Sequence, residues 1–134
     1  MSDCIFCKII KKEIPSFQIY EDDNFLAFLD VHPHAKGHTI IIPKNHARLI
    51  SDLDEKKSGL LIPFIKNVMQ LLKTKLNSDG FNVGWNNGEK AGQVVPHLHV
   101  HIMPRYSGDG GGSMHSIIKN PGELSVQEVA KLFK

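Results

Sequence analysis

The sequence predicts an α+β domain with a five-stranded antiparallel sheet, one long helix and a short helix near each end. Neighbouring strand-like segments are joined by short turns, whereas parallel pairing needs long crossovers. Between residues 51 and 77, apolar residues recur at intervals of three and four, which is the spacing of a helix. A chain of 134 residues and 15.0 kDa favours a single domain over residues 1–134, with its core at about 4–105.

The elements follow in a simple order. We predict a helix within residues 2–14, strands at 17–20, 25–30 and 39–42, a helix over 51–77, strands at 81–85 and 94–104, and a helix from Ser125. Ser2 or Asp3 is the expected N-cap of the first helix, and Ser51 with Asp54 resembles a capping box for the long one. Pro63 is expected to kink the long helix or to start a second one. Residues 107–112 are glycine-rich and predict a flexible segment before the C-terminal tail.

Composition excludes several classes of protein. Sixteen Lys and Arg against fourteen Asp and Glu give a net charge of +2, which is too small to indicate a nucleic-acid or membrane partner. No apolar stretch approaches the ~20 residues of a membrane span, and the first residues do not resemble a signal peptide. The two cysteines lie three apart and make a poor disulfide framework. We therefore expect a cytoplasmic protein.

The most informative segment is residues 97–102, in which histidine alternates with an apolar residue. In a strand, alternate side chains share a face and lie ~6.5–7 Å apart, so His97, His99 and His101 stand together while the apolar residues enter the core. A solvated strand face is the alternative, but such faces normally carry Thr, Lys, Glu or Ser. A row of imidazoles suits metal coordination, or acid–base and nucleophilic chemistry near neutral pH.

Two further motifs are weaker on their own. The polar loop 86–93 precedes the histidines and is either an anion cradle or a plain turn. Cys4 and Cys7 form a C-x2-C pair that fits half of a zinc site, a redox motif or two buried small residues. Each motif gains weight from the histidine row beside it.

These motifs together resemble the histidine triad (HIT) family, in particular its zinc-containing Hint-like branch. The resemblance rests on segments 4–10, 13–15, 27–30, 37–46 and 92–103, in family order and spacing. It implies the HIT fold and a homodimer in which two sheets join into one. It also implies a nucleotide hydrolase or transferase that attacks the α-phosphorus of a purine nucleoside monophosphate conjugate. Adenosine phosphoramidates, aminoacyl adenylates and dinucleoside polyphosphates are the candidate substrates.

The resemblance also implies roles for individual residues. His99 would attack phosphorus and form a nucleotidyl-histidine intermediate, His101 would bind the phosphate, and His38 would be the fourth active-site histidine. The implied nucleotide-binding set, besides His99 and His101, is Asp30 at the ribose, Val31, Phe6 and Phe28 near the purine, and Asn86 and Gln93 toward the phosphate. The implied zinc ligands are Cys4, Cys7, His46 and His97. Four protein ligands leave no open position, so this zinc would be structural.

One position departs from the family pattern. Val94 stands where many relatives carry Ser or Thr, and valine can neither donate nor accept a hydrogen bond. This departure keeps open a zinc-stabilised nucleotide-binding module with little catalysis; a redox or metal-handling protein is the third hypothesis. The other side chains of interest are predicted to be structural or solvated: His32, His34 and His115 in loops, Lys44 and Arg105 as surface charges, and Trp85 in the core.

Overall fold

The computed structural model describes residues 3–134 and confirms the α+β class. Its strands are β1 (Gln18–Glu21), β2 (Phe25–Leu29), β3 (Thr39–Pro43), β4 (Gly80–Gly84) and β5 (Val100–Arg105). Its helices are α1 (Ile5–Ile10), α2 (Glu55–Leu76) and α3 (Val126–Lys131), with 3-10 turns at Ile50–Asp52, Glu89–Ala91 and Met114–Ser116. The strands form one antiparallel sheet in the order β1-β2-β3-β5-β4. Within residues 3–134, no helix is long and apolar enough to cross a membrane.

Helix α2 covers one face of the sheet and forms the main core with it. Its buried residues lie on a single stripe of the helix: Leu61, Phe64, Ile65, Val68 and Leu72. They pack against inward-facing residues of β2, β3 and β5, among them Ala27, Ile41 and Val100. Each such side chain stabilises the fold by about 1.5–3 kcal/mol when it leaves water, so this layer holds the strands in register.

Helix α1 covers only part of the opposite face. Its buried Phe6 and Ile9 pack against Leu26 and Phe28 of β2 and against Ile42 of β3. A helix of six residues is not stable alone, so this packing holds it in place. The same face of β4 and β5 is left to the segment that follows β5, and a cavity lies there.

The last strand begins later than residue 94, where we had predicted it. Ladder pairing starts at Val100, opposite Ile41. Pro96 has no N–H to donate, and Leu98 donates its N–H to the Ala47 carbonyl instead of to a ladder partner. The alternation nevertheless persists, because Leu98, Val100 and Ile102 are all buried on the α2 side as predicted.

Both N-caps differ from our predictions. The α1 cap is Cys4, whose Sγ accepts a hydrogen bond from the Cys7 N–H, rather than Asp3; Ser2 lies outside the described residues. The α2 cap is Asp54, which accepts from the Lys57 N–H, so Ser51 belongs to the preceding turn. A carboxylate at the N-terminus of a helix also interacts favourably with the helix dipole.

Pro63 neither ends α2 nor starts a second helix. The helix runs unbroken from Glu55 to Leu76 with Pro63 on its exposed side. The bond that proline cannot make is the one to the carbonyl of Gly59, four residues earlier. A Cβ added at Gly59 would have no heavy atom within 4 Å outside the backbone of the helix itself, so an alanine side chain fits there.

Two glycines should therefore respond oppositely to alanine. Gly59→Ala should raise the free energy of unfolding by about 0.5–1 kcal/mol, because alanine costs less backbone entropy in a helix. Gly37→Ala should lower it by about 1 kcal/mol or more, because Gly37 has φ +86° and a Cβ there would overlap the Leu76 side chain. Urea denaturation of both variants measures the difference, and equal effects would contradict this account.

Candidate active site and metal centre

The three histidines of residues 97–102 lie together but serve two different places. His97 is fully buried, His99 is nearly so and His101 is partly exposed. The His99 and His101 ring centroids are 5.1 Å apart, whereas His97 stacks edge-on against His46, at 4.8 Å. His97 is thus separated in function from His99 and His101.

His97 belongs to a compact cluster with both cysteines. Its Nδ1 lies 3.3 Å from Cys4 Sγ and 3.6 Å from Cys7 Sγ, and Cys7 Sγ lies 3.3 Å from His46 Nδ1. The four ligand atoms all lie within 4.8 Å of one another. The His97 Nε2–H donates to the Pro43 carbonyl at 2.9 Å, which leaves Nδ1 unprotonated and directed at the sulfurs.

This donor set fits zinc. A tetrahedral site with zinc–sulfur and zinc–nitrogen bonds of about 2.3 and 2.1 Å has sulfur–nitrogen edges of about 3.5 Å, close to the distances between these ligand atoms. Burial and the neighbouring Cys4 sulfur raise the pKa of the Cys7 thiol in the absence of a cation. A bound cation would reverse that effect, because zinc binds the thiolate form. Cys4, Cys7, His46 and His97 could therefore hold a metal ion.

The two ring nitrogens of His99 have different roles. Its Nδ1 lies 2.8 Å from the His97 carbonyl oxygen, which can only accept, so Nδ1 carries the proton and donates. The unprotonated Nε2 then has a free lone pair. The Phe6 ring packs against the His99 ring at 5.1 Å and limits its rotation. This arrangement suits a nucleophile or a base.

A hydrogen-bonded chain gives His101 the opposite proton arrangement. The His34 N–H donates to His38 Nδ1, so the proton of neutral His38 lies on Nε2 and is donated to His101 Nδ1, 2.9 Å away. The proton of neutral His101 is then on Nε2, as a hydrogen-bond donor. His99 and His101 therefore offer an acceptor and a donor side by side.

Asp30 lies beside this chain. Its Oδ2 is 3.6 Å from His38 Nε2, and its Oδ1 accepts from the His32 N–H. Asp30, His38 and His101 also have the composition of a metal site. The hydrogen bonds make that use costly, because a metal on His38 Nε2 would move the proton to Nδ1, where the His34 N–H already points. The geometry therefore favours a hydrogen bond between neutral His38 and His101 over a metal site at these residues.

Burial keeps these imidazoles neutral. Burial first, and then the neighbouring His99 and His38, lower the pKa of His101 to about 4. Burial likewise lowers the pKa of His97 to about 4, and it lowers the pKa of His38 against the opposing effect of Asp30. Neutral rings can follow the proton arrangement described above at physiological pH.

The residues predicted to bind the nucleotide differ in burial and in position. Phe6 and Phe28 are buried in the α1 layer with ring centroids 5.9 Å apart, whereas Val31 is 66% exposed beyond the end of β2. Asn86 is exposed and lines the same cavity as His101. The Gln93 amide is buried and occupied: it donates to the Arg48 and Val95 carbonyls and accepts from the Gly88 N–H. The Gln93 side chain thus holds the shape of the loop before the histidines.

A cavity of about 770 Å³ opens next to His38 and His101. Its far wall is the segment that follows β5, where Arg105 donates to Asn82, to both Asp109 carboxylate oxygens and to the Gly112 carbonyl. Arg105 is therefore more than the solvated charge we had predicted, since it folds the glycine-rich segment back onto β4. Its spacing of four from Asp109 was the available sequence signal.

Trp85 is 37% exposed in this cavity and not in the core as predicted. Lys44 pairs with Glu21 at 2.8 Å, and His34 lines the cavity while donating its N–H to His38. Val94 is 89% exposed and lines a separate cavity with Arg48, Glu89 and Gln93. Which loops would meet around these cavities could not be inferred from spacing along the chain.

Comparisons with known proteins find similar sequences and similar structures. Residues 11–108 match the family model described as HIT domain. The chain is 44% identical over 131 residues to an uncharacterized HIT-like protein of Methanocaldococcus jannaschii, covering 98% of each. It is 41% identical over 108 residues to the adenosine 5'-monophosphoramidase of Candida albicans, covering 78% of this chain and 71% of the relative.

One solved structure with a similar fold contains zinc. The zinc-bound histidine triad family protein of Mycobacterium smegmatis superimposes with a TM-score of 0.78 at 33% identity, covering 90% of this chain and 85% of its own. That protein binds zinc. The present chain has a Cys/His cluster with the composition and spacing to hold a metal ion.

The buried histidines should make the metal-free fold sensitive to acid. Between pH 6.5 and about 4, unfolded histidine is protonated while folded His101 is not, so the free energy of unfolding should fall as pH falls. His101→Gln should reduce that slope by up to about 1.4 kcal/mol per pH unit. Urea titrations with chelator at several pH values measure it, and an unchanged slope in the folded variant would refute the burial argument.

Proposed function

The chain belongs to the HIT family, and on that premise we propose that it hydrolyses purine nucleoside monophosphate conjugates at the α-phosphorus. One observation carries the proposal: an imidazole with a free Nε2 lone pair lies beside an imidazole whose Nε2–H is a donor. A phosphoryl group bound between them would meet a nucleophile and a stabiliser of negative charge together. The adenosine 5'-monophosphoramidase named among the relatives supports a nucleotide phosphoramidate as substrate.

In the proposed first step, His99 Nε2 forms a bond to phosphorus while the bond from phosphorus to the leaving group breaks. For a phosphoramidate, the leaving nitrogen takes up one proton from solvent and departs as an amine. Water then forms a bond to phosphorus while the histidine–phosphorus bond breaks and its electron pair returns to Nε2. The attacking water releases one proton to solvent, and the nucleoside monophosphate leaves. His101 donates to a phosphate oxygen throughout, and His38 keeps the proton of His101 on Nε2.

For the nucleotide itself, we propose that Asp30 accepts from the ribose hydroxyls and that Val31, Phe6 and Phe28 contribute the apolar side of the purine site. Asp30 is half-buried at the end of β2, within reach of both solvent and His38. Asn86 is an accessible amide in the cavity that His101 lines, and Gln93 acts by holding the loop that carries Asn86. We propose adenosine or guanosine conjugates as the ligands.

We further propose that Cys4, Cys7, His46 and His97 hold a structural zinc. With four protein ligands, the ion would connect the start of α1 with the loop after β3 and with the histidine segment. It would act on the reaction only through position, because His99 is two residues from His97 and donates to its carbonyl. A cytoplasmic location fits, because a reducing compartment keeps both thiols available.

A homodimer completes the proposal. Of the two edge strands, β1 carries an irregular register between Gln18 and Tyr20, whereas β4 pairs regularly along its length. A regular edge is the better template for adding a strand, so we propose that β4 meets its symmetry copy. Sedimentation equilibrium should then give twice the chain mass of 15.0 kDa.

A nucleotide-binding module with little catalysis is the second candidate. The feature that favours it is Val94, which is 89% exposed and carries no side-chain polar atom where many relatives have Ser or Thr. Such a module would bind AMP but would not form a covalent adduct.

His99→Ala should abolish turnover of adenosine 5'-phosphoramidate, lowering kcat by about 10³-fold or more, because the nucleophile is lost. Mass spectrometry of wild-type protein quenched without acid during turnover should show a nucleotidyl adduct that the variant lacks. AMP should still bind to His99→Ala by calorimetry. His115→Ala, at an exposed position in the 3-10 turn Met114–Ser116, is the control and should retain the adduct. AMP binding without any adduct in the wild type would favour the binding module.

Zinc removal should destabilise the fold, because an ion that binds only the folded state adds about 4 kcal/mol when it is a thousandfold above its dissociation constant. Metal analysis should find one zinc per chain, lost in His46→Gln but retained in His38→Gln, which belongs to the other histidine cluster. The midpoint of thermal unfolding should fall with chelator in wild type and in His38→Gln, but not in His46→Gln. If zinc were lost in His38→Gln but retained in His46→Gln, the ion would lie at Asp30, His38 and His101 instead.

A further inference from the structure

The two cysteines have a second chemistry available besides metal binding. Both are free, and their sulfurs belong to one cluster whose ligand atoms all lie within 4.8 Å of one another. Cys4 is the N-cap of α1, and its Sγ accepts a hydrogen bond from the Cys7 N–H at 3.4 Å. Helix geometry places Cα atoms three residues apart at about 5 Å, which is within the range that a disulfide spans. The pair can therefore be oxidised to a disulfide without a large movement of the chain.

Cys7 lies on the more open side of the cluster. Each cysteine exposes 9% of its surface. The Cys4 sulfur contacts His97, which is fully buried, whereas the Cys7 sulfur lies 3.3 Å from His46 Nδ1, and His46 is partly exposed. A small oxidant that enters past His46 would therefore meet Cys7 first.

A disulfide between these sulfurs is incompatible with the proposed zinc site. Zinc binds cysteine as the thiolate, and a disulfide sulfur is no longer a thiolate. Of the four residues in the cluster, oxidation would leave only His46 and His97 as ligands, which is too few for a structural site. The cluster therefore has two exclusive states, a dithiol with metal and a disulfide without it.

A change of state would reach the candidate active site through short contacts. His97 Nδ1 lies 3.3 Å from Cys4 Sγ, and the His97 carbonyl accepts from His99. Phe6 stands between the two cysteines in the sequence, and its ring packs against the His99 ring at 5.1 Å. Movement of Cys4 and Cys7 into a disulfide would displace both groups that orient His99.

We propose that Cys4 and Cys7 are a reversible oxidation site for peroxides, and that their disulfide releases the metal and lowers the activity of His99. The release of metal rests on the proposed zinc site, and the effect on His99 rests on the proposed hydrolysis. The disulfide closes a loop of four residues, so it stabilises the fold less than one that closes a long loop. This suits a bond that thiols can reduce again.

The reaction has two steps. Cys7 Sγ, as a thiolate, forms a bond to one peroxide oxygen while the oxygen–oxygen bond breaks, and the departing hydroxide takes a proton from solvent and leaves as water. Cys4 Sγ, also as a thiolate, then attacks the sulfur of the Cys7 sulfenic acid. The sulfenic hydroxide leaves with a second solvent proton as water. The two sulfurs lose two electrons, and these electrons reduce the peroxide.

Treatment of the full-length zinc-loaded protein with hydrogen peroxide tests the site. A coloured zinc chelator should detect one zinc released per disulfide formed. Intact mass should fall by two hydrogen atoms per chain, and peptide mapping should place the bond between Cys4 and Cys7. Turnover of adenosine 5'-phosphoramidate should fall about tenfold or more, because the contacts that orient His99 are lost.

Reversal separates the disulfide from other oxidation products. Dithiothreitol and zinc together should restore the starting mass, the bound metal and the turnover. Methionine sulfoxide adds an oxygen atom and is not reduced by this treatment, so an effect that persists would come from methionine. A persistent loss of turnover after the disulfide has been reduced would overturn the link to His99.

Two variants sharpen the test. Cys4→Ser keeps Cys7 without its partner, so peroxide should add oxygen to Cys7 and should not remove two hydrogens. His38→Gln changes the other histidine cluster and should form the disulfide at the wild-type rate. If Cys4→Ser does not fold, the peptide map and the zinc release of the wild type decide the question by themselves.

The outcomes separate this inference from the proposals on which it rests. Disulfides between chains, zinc retained after the Cys4–Cys7 bond has formed, or cysteines that react only after unfolding would each overturn the oxidation site. Protein purified without zinc that still forms the bond would contradict the structural zinc alone. If the reduced protein has no turnover, the hydrolysis fails, whereas zinc release with the disulfide still supports the oxidation site.

Discussion

Hydrogen bonds to backbone groups decide which nitrogen of each histidine is available, and the candidate chemistry depends on this constraint. The Pro43 carbonyl takes the Nε2 proton of His97, and the His97 carbonyl takes the Nδ1 proton of His99. His97 therefore exposes Nδ1 and His99 exposes Nε2, although the two residues are only two positions apart in the chain. The His34 N–H sets a third arrangement, which passes through His38 to His101. Burial lowers the pKa of His38, His97 and His101, and the neutral rings keep these arrangements.

The Cys/His cluster and the candidate active site are connected through the backbone carbonyl of His97. His97 contributes its ring to the cluster with Cys4 and Cys7 and its carbonyl to His99. Displacement of the His97 ring would thus tilt the carbonyl that orients His99. Helix α1 is held at the same place, since Cys4 caps it and Phe6 packs against the His99 ring. A short helix with little stability of its own becomes part of the site through these contacts.

The two halves of one sheet face differ in how they are covered. Over β2 and β3, α1 packs closely and buries its apolar residues. Over β4 and β5, the covering segment is held by the hydrogen bonds of Arg105 and leaves an apolar cavity. The Arg105 hydrogen bonds at the edge of the cavity hold this segment in place, so the segment does not collapse onto the sheet. The segment is also held by hydrogen bonds from the Tyr106 hydroxyl to the Lys36 carbonyl and from the Ser107 N–H to Asp79, and the cavity remains between these anchors.

The sequence alone determined the class of fold, because turn lengths and periodicity are local properties, and it placed Leu98, Val100 and Ile102 in the core by alternation. Through the resemblance to the histidine triad family, the sequence also predicted which four residues form the Cys/His cluster. Tertiary structure decided where β5 begins, since that depends on which carbonyl Leu98 meets. It also decided which nitrogen each histidine offers, and that Trp85, Arg105 and Met114 share a cavity. Contacts between residues distant in sequence leave no periodic signal along the chain, so only the folded chain could reveal them.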